Sequence, residues 1–177
     1  MFHIFRSRDL REKEREVDRV GRELFKQIAV FRDKCRSGHF PDGVFKERVN
    51  HAYTAGYMIG FVDEKLSKLF DSHTQKSKYA ARVFTAIFPR SGVKFIKAKY
   101  EARELAEDLS HSKKYQEKVE NYVDDFDTGM ENGQRELGKW DEEEAYVPHK
   151  LTDFLMTGVI PQIQPKNPPD GSYAETI

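Results

Sequence analysis

Between Asp9 and Arg36 the large apolar residues fall at Leu10, Val17, Val20, Leu24, Ile28, Phe31 and Cys35. Spacings of three, four and seven place them on one face of a helix. The residues between alternate in sign (Arg11, Glu12, Lys13, Glu14, Arg15, Glu16), as a solvated face does. The run Ser-Gly-His-Phe-Pro-Asp-Gly at 37–43 then punctuates the chain, with Gly38 suited to a C-cap and Asp42 to an N-cap.

The same reading continues downstream. Phe45, Val49, Ala52, Tyr53, Gly56, Gly60, Leu66 and Leu69 predict a second helix over 44–70. A shorter one over 74–88 carries Tyr79, Val83, Phe84, Ile87 and Phe88, and Pro89-Arg90-Ser91-Gly92 ends it. Ser91 caps a fourth helix over 92–110 with Phe95, Ile96, Tyr100, Leu105 and Leu109. A fifth, over 112–140, shows the cleanest stripe, running from Tyr115 through Val119, Tyr122, Phe126, Met130, Gly133 and Leu137 to Trp140. The spacing leaves open whether 92–110 and 112–140 are two helices or one bent rod. Pro148 opens a last short helix over 149–157, and the Pro-rich text of 161–177 predicts a flexible, extended tail. No segment alternates with period two, so the expected fold is all-α. It is an antiparallel bundle of five or six helices in one domain spanning 1–160.

Two glycine pairs interrupt these helices. Gly56 and Gly60 lie four apart in the second, and Gly129 and Gly133 repeat the spacing in the fifth, 73 residues later. Each helical glycine costs about 1 kcal/mol against alanine, so four of them call for a reason. Close helix–helix crossing is the favoured one, because a bare backbone admits a second backbone. An internal duplication, hinted at by the flanks Tyr-Thr-Ala-Gly and Phe-Asp-Thr-Gly, accounts for the same facts. A ligand slot floored by backbone is the functional alternative.

Composition sharpens the picture. The 177 residues include 13 Phe, 8 Tyr and 1 Trp, so the core is expected to be aromatic-rich. One cysteine, Cys35, builds neither a disulfide framework nor a multi-cysteine metal site and suits a reducing compartment. No apolar run approaches the ~20 residues of a membrane span. The opening Met-Phe-His-Ile-Phe-Arg lacks the pattern of a signal peptide, which points to a cytoplasmic protein. The net charge of zero hides a split: residues 1–100 hold 22 Lys/Arg against 12 Asp/Glu, whereas 101–177 hold 8 against 18. Packing acidic helices against basic ones would neutralise it.

Candidate chemistry is sparse. Glu47 with His51, and Glu107 with His111, share helix faces, but the Glu-x-x-His pairs of a di-metal bundle are absent, so neither metal nor cofactor is expected. Cys35 and His39 are separated by a helix-breaking glycine, and no nucleophile elbow occurs, so the reading leans away from an enzyme. Residues 65–99 carry nine cations against Asp71 alone, among them Lys76, Lys78, Arg82, Arg90, Lys94 and Lys97. With the helix start at Ser91 and Gly92, these form the candidate site for nucleic acid or a small anion. The acidic run Asp141, Glu142, Glu143 and Glu144 is the candidate partner-docking element.

Many amphipathic helices, split charge and no catalytic constellation together favour a non-enzymatic interaction or regulatory protein. A regulator, inhibitor or immunity-type protein that docks onto a partner protein fits this description. Nucleic-acid binding through 65–99 and a small anionic-ligand-binding bundle are the alternatives. No membrane partner is expected, and a homodimer stays open.

Overall fold

The computed structural model describes residues 2–111 and 116–163, with side chains from Arg8 onward except at 117 and 118. Seven helices follow one another: α1 (Phe2–Arg36), α2 (Val44–Val49), α3 (Ala52–Leu69), α4 (His73–Ile87), α5 (Gly92–Ser110), α6 (Gln116–Glu142) and α7 (Lys150–Thr157). There is no strand among the described residues. The tail beyond 163 and the junction at 112–115 lie outside the described residues.

α3 is the axis of the molecule. Every residue from Ala52 to Val62 is buried, and the helix touches all six others. Such an all-round apolar helix survives only when jacketed on every side. The aromatic core gathers around it. Tyr57 stacks on Phe61 with ring centroids 5.8 Å apart, Tyr53 lies 4.8 Å from Phe154 of α7, and Phe61 lies 5.8 Å from Trp140 of α6. Phe70 and Tyr79 stack at 4.6 Å where α3 hands over to α4.

The stretch expected as one helix over 44–70 is two, because Asn50 and His51 carry capping chemistry. The Asn50 amide donates back to the Lys46 carbonyl (2.7 Å), ending α2. His51 is extended and its ring Nδ1 accepts from the Tyr53 N–H (3.3 Å), starting α3. The apolar spacing runs on across that break and conceals it.

Directions within the bundle are mixed. α1 runs antiparallel to α3, since Glu16 meets Lys65 whereas Phe31 meets Phe45 of the preceding α2. α3 and α6 instead run parallel: Tyr53 pairs with Asn132, Tyr57 with Glu136, and Lys65 with Asp141, ascending together. The antiparallel expectation therefore does not extend to the central pair. Two helices, α4 and α5, intervene and bring the chain back to the same end before α6 begins.

The glycines show how close that central pair comes. A Cβ on Gly56 would sit 2.0 Å from the Phe126 carbonyl oxygen, and one on Gly60 2.1 Å from that of Met130. On the other side Gly129 faces the Tyr53 carbonyl at 2.3 Å, and Gly133 that of Tyr57 at 2.2 Å. The contacts are reciprocal: each glycine meets the carbonyl three residues before its counterpart in the other helix. That is a local two-fold relation at an offset of 73, the geometry a duplicated unit would leave. All four glycines serve the crossing, and the slot between them is filled by backbone.

Candidate functional site

Two surfaces collect chemistry, and one polar knot lies beneath the first of them. The knot is built where α6 and α7 meet α3. Glu136, 1% exposed, accepts from the hydroxyls of Tyr57 and Tyr146 (2.5 Å each) and from the backbone N–H groups of His149 (3.1 Å) and Lys150 (3.0 Å). Each carboxylate oxygen thus takes two donors. Its acceptors are used in capping the start of α7 and in fastening the 143–149 connection, as a buried carboxylate requires. One turn earlier, Asn132 accepts from the Lys150 ammonium (2.5 Å) and donates to the Tyr53 hydroxyl (3.3 Å) and the Pro161 carbonyl (2.8 Å). Gln27 of α1 accepts from Thr152 of α7.

Burial pushes the Tyr57 hydroxyl well above the ordinary tyrosine range, with the Glu136 charge adding to the shift. Tyr53 and Tyr146 move the same way, each mainly by desolvation. Burial holds Lys150 below the ordinary lysine range; Glu136 opposes this, while Lys139 and Arg135 contribute to it. Above the knot lies an open cleft of about 1210 Å³ lined by Gln134, Lys139, Tyr146, His149 and Lys150 among others. Both carboxylates, such as Glu131 and Glu142, and cations line its wall.

The second surface is a furrow of about 530 Å³ between α1 and α4. Val17 and Val83 line it from the core, Gly21 forms its floor, and Phe25 and Ala86 stand at its lips. Phe25 is 42% exposed, a large apolar side chain left in water. Asp18, Arg22 and Arg82 rim the furrow, and Arg82 is held by Asp18 at 2.7 Å and by Glu14 at 3.8 Å.

The residues singled out in the sequence are scattered by the fold. Lys65 reaches both Glu16 and Asp141 at 2.8 Å, and Lys68 reaches Asp141 at 3.4 Å. Basic and acidic halves do meet here. Lys97 pairs with Glu101 (3.5 Å), Lys99 donates to the Asn50 carbonyl, and Lys76 donates to Ser67 (3.2 Å). Lys78 lies over the Tyr79 ring at 5.4 Å. Arg90 and Lys94 are exposed near the α4–α5 corner. The basic stretch therefore wraps several faces and does not form one stripe.

Ser91 precedes α5 without a side-chain capping bond. Gly92 is needed for steric reasons: its Cβ would lie 1.9 Å from the Phe84 carbonyl, and its N–H is taken by Phe88 at 2.8 Å. In the acidic run, Asp141 is turned toward Lys65 and Lys68, whereas Glu142, Glu143 and Glu144 are exposed.

Other candidates resolve into structure. His39 contacts the Ser37 hydroxyl (2.8 Å), and burial raises the Cys35 thiol, contrary to what a nucleophile needs. Asp127 chelates Arg103 through two bonds of 2.9 Å, and Asp125 lies 3.7 Å from His51. Among the described residues no group of three or more His, Cys, Asp or Glu is gathered as a metal centre would be, and no helix is long and apolar enough to cross a membrane. The buried knot escaped the sequence reading, although Asn132 and Glu136 sit four apart beside the Gly129–Gly133 pair. Polar residues keeping step with an apolar stripe were its only signal.

No family description, no curated protein and no solved structure matches this chain.

Proposed function

We propose that this chain is a non-enzymatic interaction protein that acts by docking a partner protein into the furrow between α1 and α4. The observation that carries this reading is the furrow itself. Its apolar wall continues the core outward through Val17 and Val83 to Phe25. Half-exposed aromatics bordering an apolar recess are the usual anchors of protein–protein contacts. The polar knot at Glu136 supports the non-enzymatic side: its acceptors are saturated by structural donors, which suits a clamp and not a general base. Of the acidic run, Asp141 pairs with Lys65 and Lys68 while Glu142, Glu143 and Glu144 stay exposed, and the furrow, which adds an apolar recess, is in this reading the primary docking element.

The test is affinity purification of the tagged chain from its native host, with and without nuclease. It is run in parallel on wild type and on Ala86→Met, which fills the furrow from an exposed position. The expected result is a stoichiometric protein that survives nuclease, is lost with Ala86→Met, and rebinds wild type when purified. A partner that Ala86→Met retains in full removes the furrow from the reading. Partners that vanish with nuclease transfer the function to the outward cations Lys76, Lys78, Arg90 and Lys94.

A further inference from the structure

Resting on the docking reading above, we infer that the occupant of the α1/α4 furrow is an acidic amphipathic helix of a partner protein. Charge selects the sign. α4 carries Lys76, Lys78 and Arg82 and no Asp or Glu. Across the furrow, Asp18 is the one carboxylate in the lining, and Arg82 already neutralises it at 2.7 Å. Glu14, further along, is engaged by the Tyr79 hydroxyl (3.0 Å) and Arg82. Arg22 is exposed and has no ion-pair partner among the described residues. Farther along α1, the Arg32 guanidinium lies 5.8 Å from the Phe25 ring and is paired with Asp33 at 3.6 Å, so it adds no free charge. An apolar recess with the unpaired Arg22 on its rim and the exposed Lys78 farther along the carboxylate-free α4 complements a helix that carries apolar anchors and an acidic border.

Gly21 selects the helical shape. Every other buried helical glycine here is required by a carbonyl within 2.3 Å of its missing Cβ. At Gly21 the nearest atom to that Cβ is Val83 Cγ1 at 3.8 Å, an ordinary contact, so the fold itself does not demand glycine. A glycine is unfavourable inside a helix, and this one leaves bare backbone at the floor of the furrow. The α3–α6 crossing shows what bare helical backbone accommodates in this molecule, namely another helix. Length agrees as well: Val17 to Phe25 spans about 12 Å, close to the ~10.5 Å covered by anchors at i, i+4 and i+7. A second copy is disfavoured, since a symmetric contact would set one cationic rim against the same rim.

The test uses the full chain and three labelled synthetic helical peptides that share one Leu face at i, i+4 and i+7. Their outer faces are Glu, Gln or Lys, and binding is read by fluorescence anisotropy. The Glu peptide is expected to bind at least tenfold more tightly than the Lys peptide and to weaken as salt rises. Ala86→Met and Phe25→Ser, both at exposed positions, should each weaken it at least tenfold without lowering Tm. Arg22→Glu with Lys78→Glu should reverse the preference. If the Gln or Lys peptide binds best and Ala86→Met abolishes it, the acidic assignment falls and furrow docking stands. If the Glu peptide fails to bind at concentrations on the order of 1 mM, the inference is overturned. Self-association in sedimentation that Ala86→Met abolishes overturns it too, in favour of a second copy. Failure of the docking reading is separate, since it requires native capture that ignores Ala86→Met.

Discussion

Replacing Gly60 by alanine puts one methyl group where two backbones meet. Its carbon would lie 2.1 Å from the Met130 carbonyl oxygen and 2.8 Å from the carbonyl carbon. Ordinary contact begins at 3.4 Å, so α3 and α6 must separate by about 1 Å. No flexible side chain is there to give way. A gap of that size forfeits a quarter to a half of each dispersion contact along the seam, and overpacking of this kind costs about 1–3 kcal/mol or more. Against it stands the alanine's helical advantage of about 1 kcal/mol. With the whole seam displaced, the gross cost is expected at or above the top of that range, about 3–5 kcal/mol, so the net loss is about 2–4 kcal/mol, or roughly 5–15 °C in Tm for a chain of this size.

Gly138→Ala is the internal control. It makes the same chemical change on α6, five residues after Gly133, where nothing lies within 4 Å of the new Cβ. There the helical advantage stands alone, and stability should rise by about 0.5–1 kcal/mol. Calorimetry or thermal circular dichroism of wild type and both variants decides the matter. If Gly60→Ala leaves Tm within about 2 °C of wild type, the steric account of the seam is wrong. A Gly138→Ala loss equal to that of Gly60→Ala would refute it equally, by showing that glycine matters for backbone freedom and not for clearance.

The other expectations concern the polar knot and the furrow floor. Glu136→Ala strands the Tyr57 hydroxyl and two N–H groups and should cost about 3 kcal/mol or more, whereas Glu136→Gln, which keeps an acceptor, should cost less; urea unfolding followed by circular dichroism ranks them. Tyr57, Tyr53 and Tyr146 all have hydroxyls raised above the usual range, so above pH ~10 the unfolded chain sheds protons that the folded chain keeps. Their contribution is full below that pH and is lost as pH climbs, at about 1.4 kcal/mol per unit for the fully buried Tyr57. The share of tyrosinate absorbance owed to these three of the eight tyrosines should therefore appear only together with loss of helicity, and ionisation of all eight in a still-folded protein would contradict the burial. Gly21→Ala meets only Val83 at 3.8 Å and should raise Tm by a few degrees, so a clear fall would mean the furrow floor is under internal strain.

The helical periodicity was legible because an amphipathic helix writes its buried face directly into the spacing of apolar residues. Val17, Val20, Leu24, Ile28 and Phe31 are all buried, as are Tyr79, Val83, Phe84 and Ile87. The glycine pairs were legible for a related reason, since four unfavourable residues at matched spacing have few physical explanations. What the spacing did not reveal was the break at Asn50-His51, because the apolar face continues through it while only the caps change. Nor did it reveal the parallel sense of α3 and α6, which depends on how many crossings intervene. The Glu136 knot was hidden because a carboxylate on a charged helix looks solvated until the helices around it are known. The pairing of cations within residues 65–99 was hidden for a similar reason: on helices, neighbouring cations in sequence point in different directions, and Lys65, Arg82 and Lys97 each find separate carboxylates.

These features bear on one another through the central seam. Pressing α3 against α6 backbone to backbone buries Tyr53 and Tyr57, whose hydroxyls then need partners inside the molecule. Asn132 and Glu136 supply them from α6 and, with the acceptor capacity left over, hold Lys150 and the start of α7. α7 in turn engages Gln27 of α1 through Thr152. One face of α1 is thereby committed to the core and α7, while the α4 side of the same helix keeps Gly21 and Phe25 at an open furrow. Along the α1/α4 furrow lie an exposed aromatic, Phe25, a helical glycine that no close backbone contact requires, Gly21, and a guanidinium with no ion pair among the described residues, Arg22, and a single acidic helix would meet all three at once.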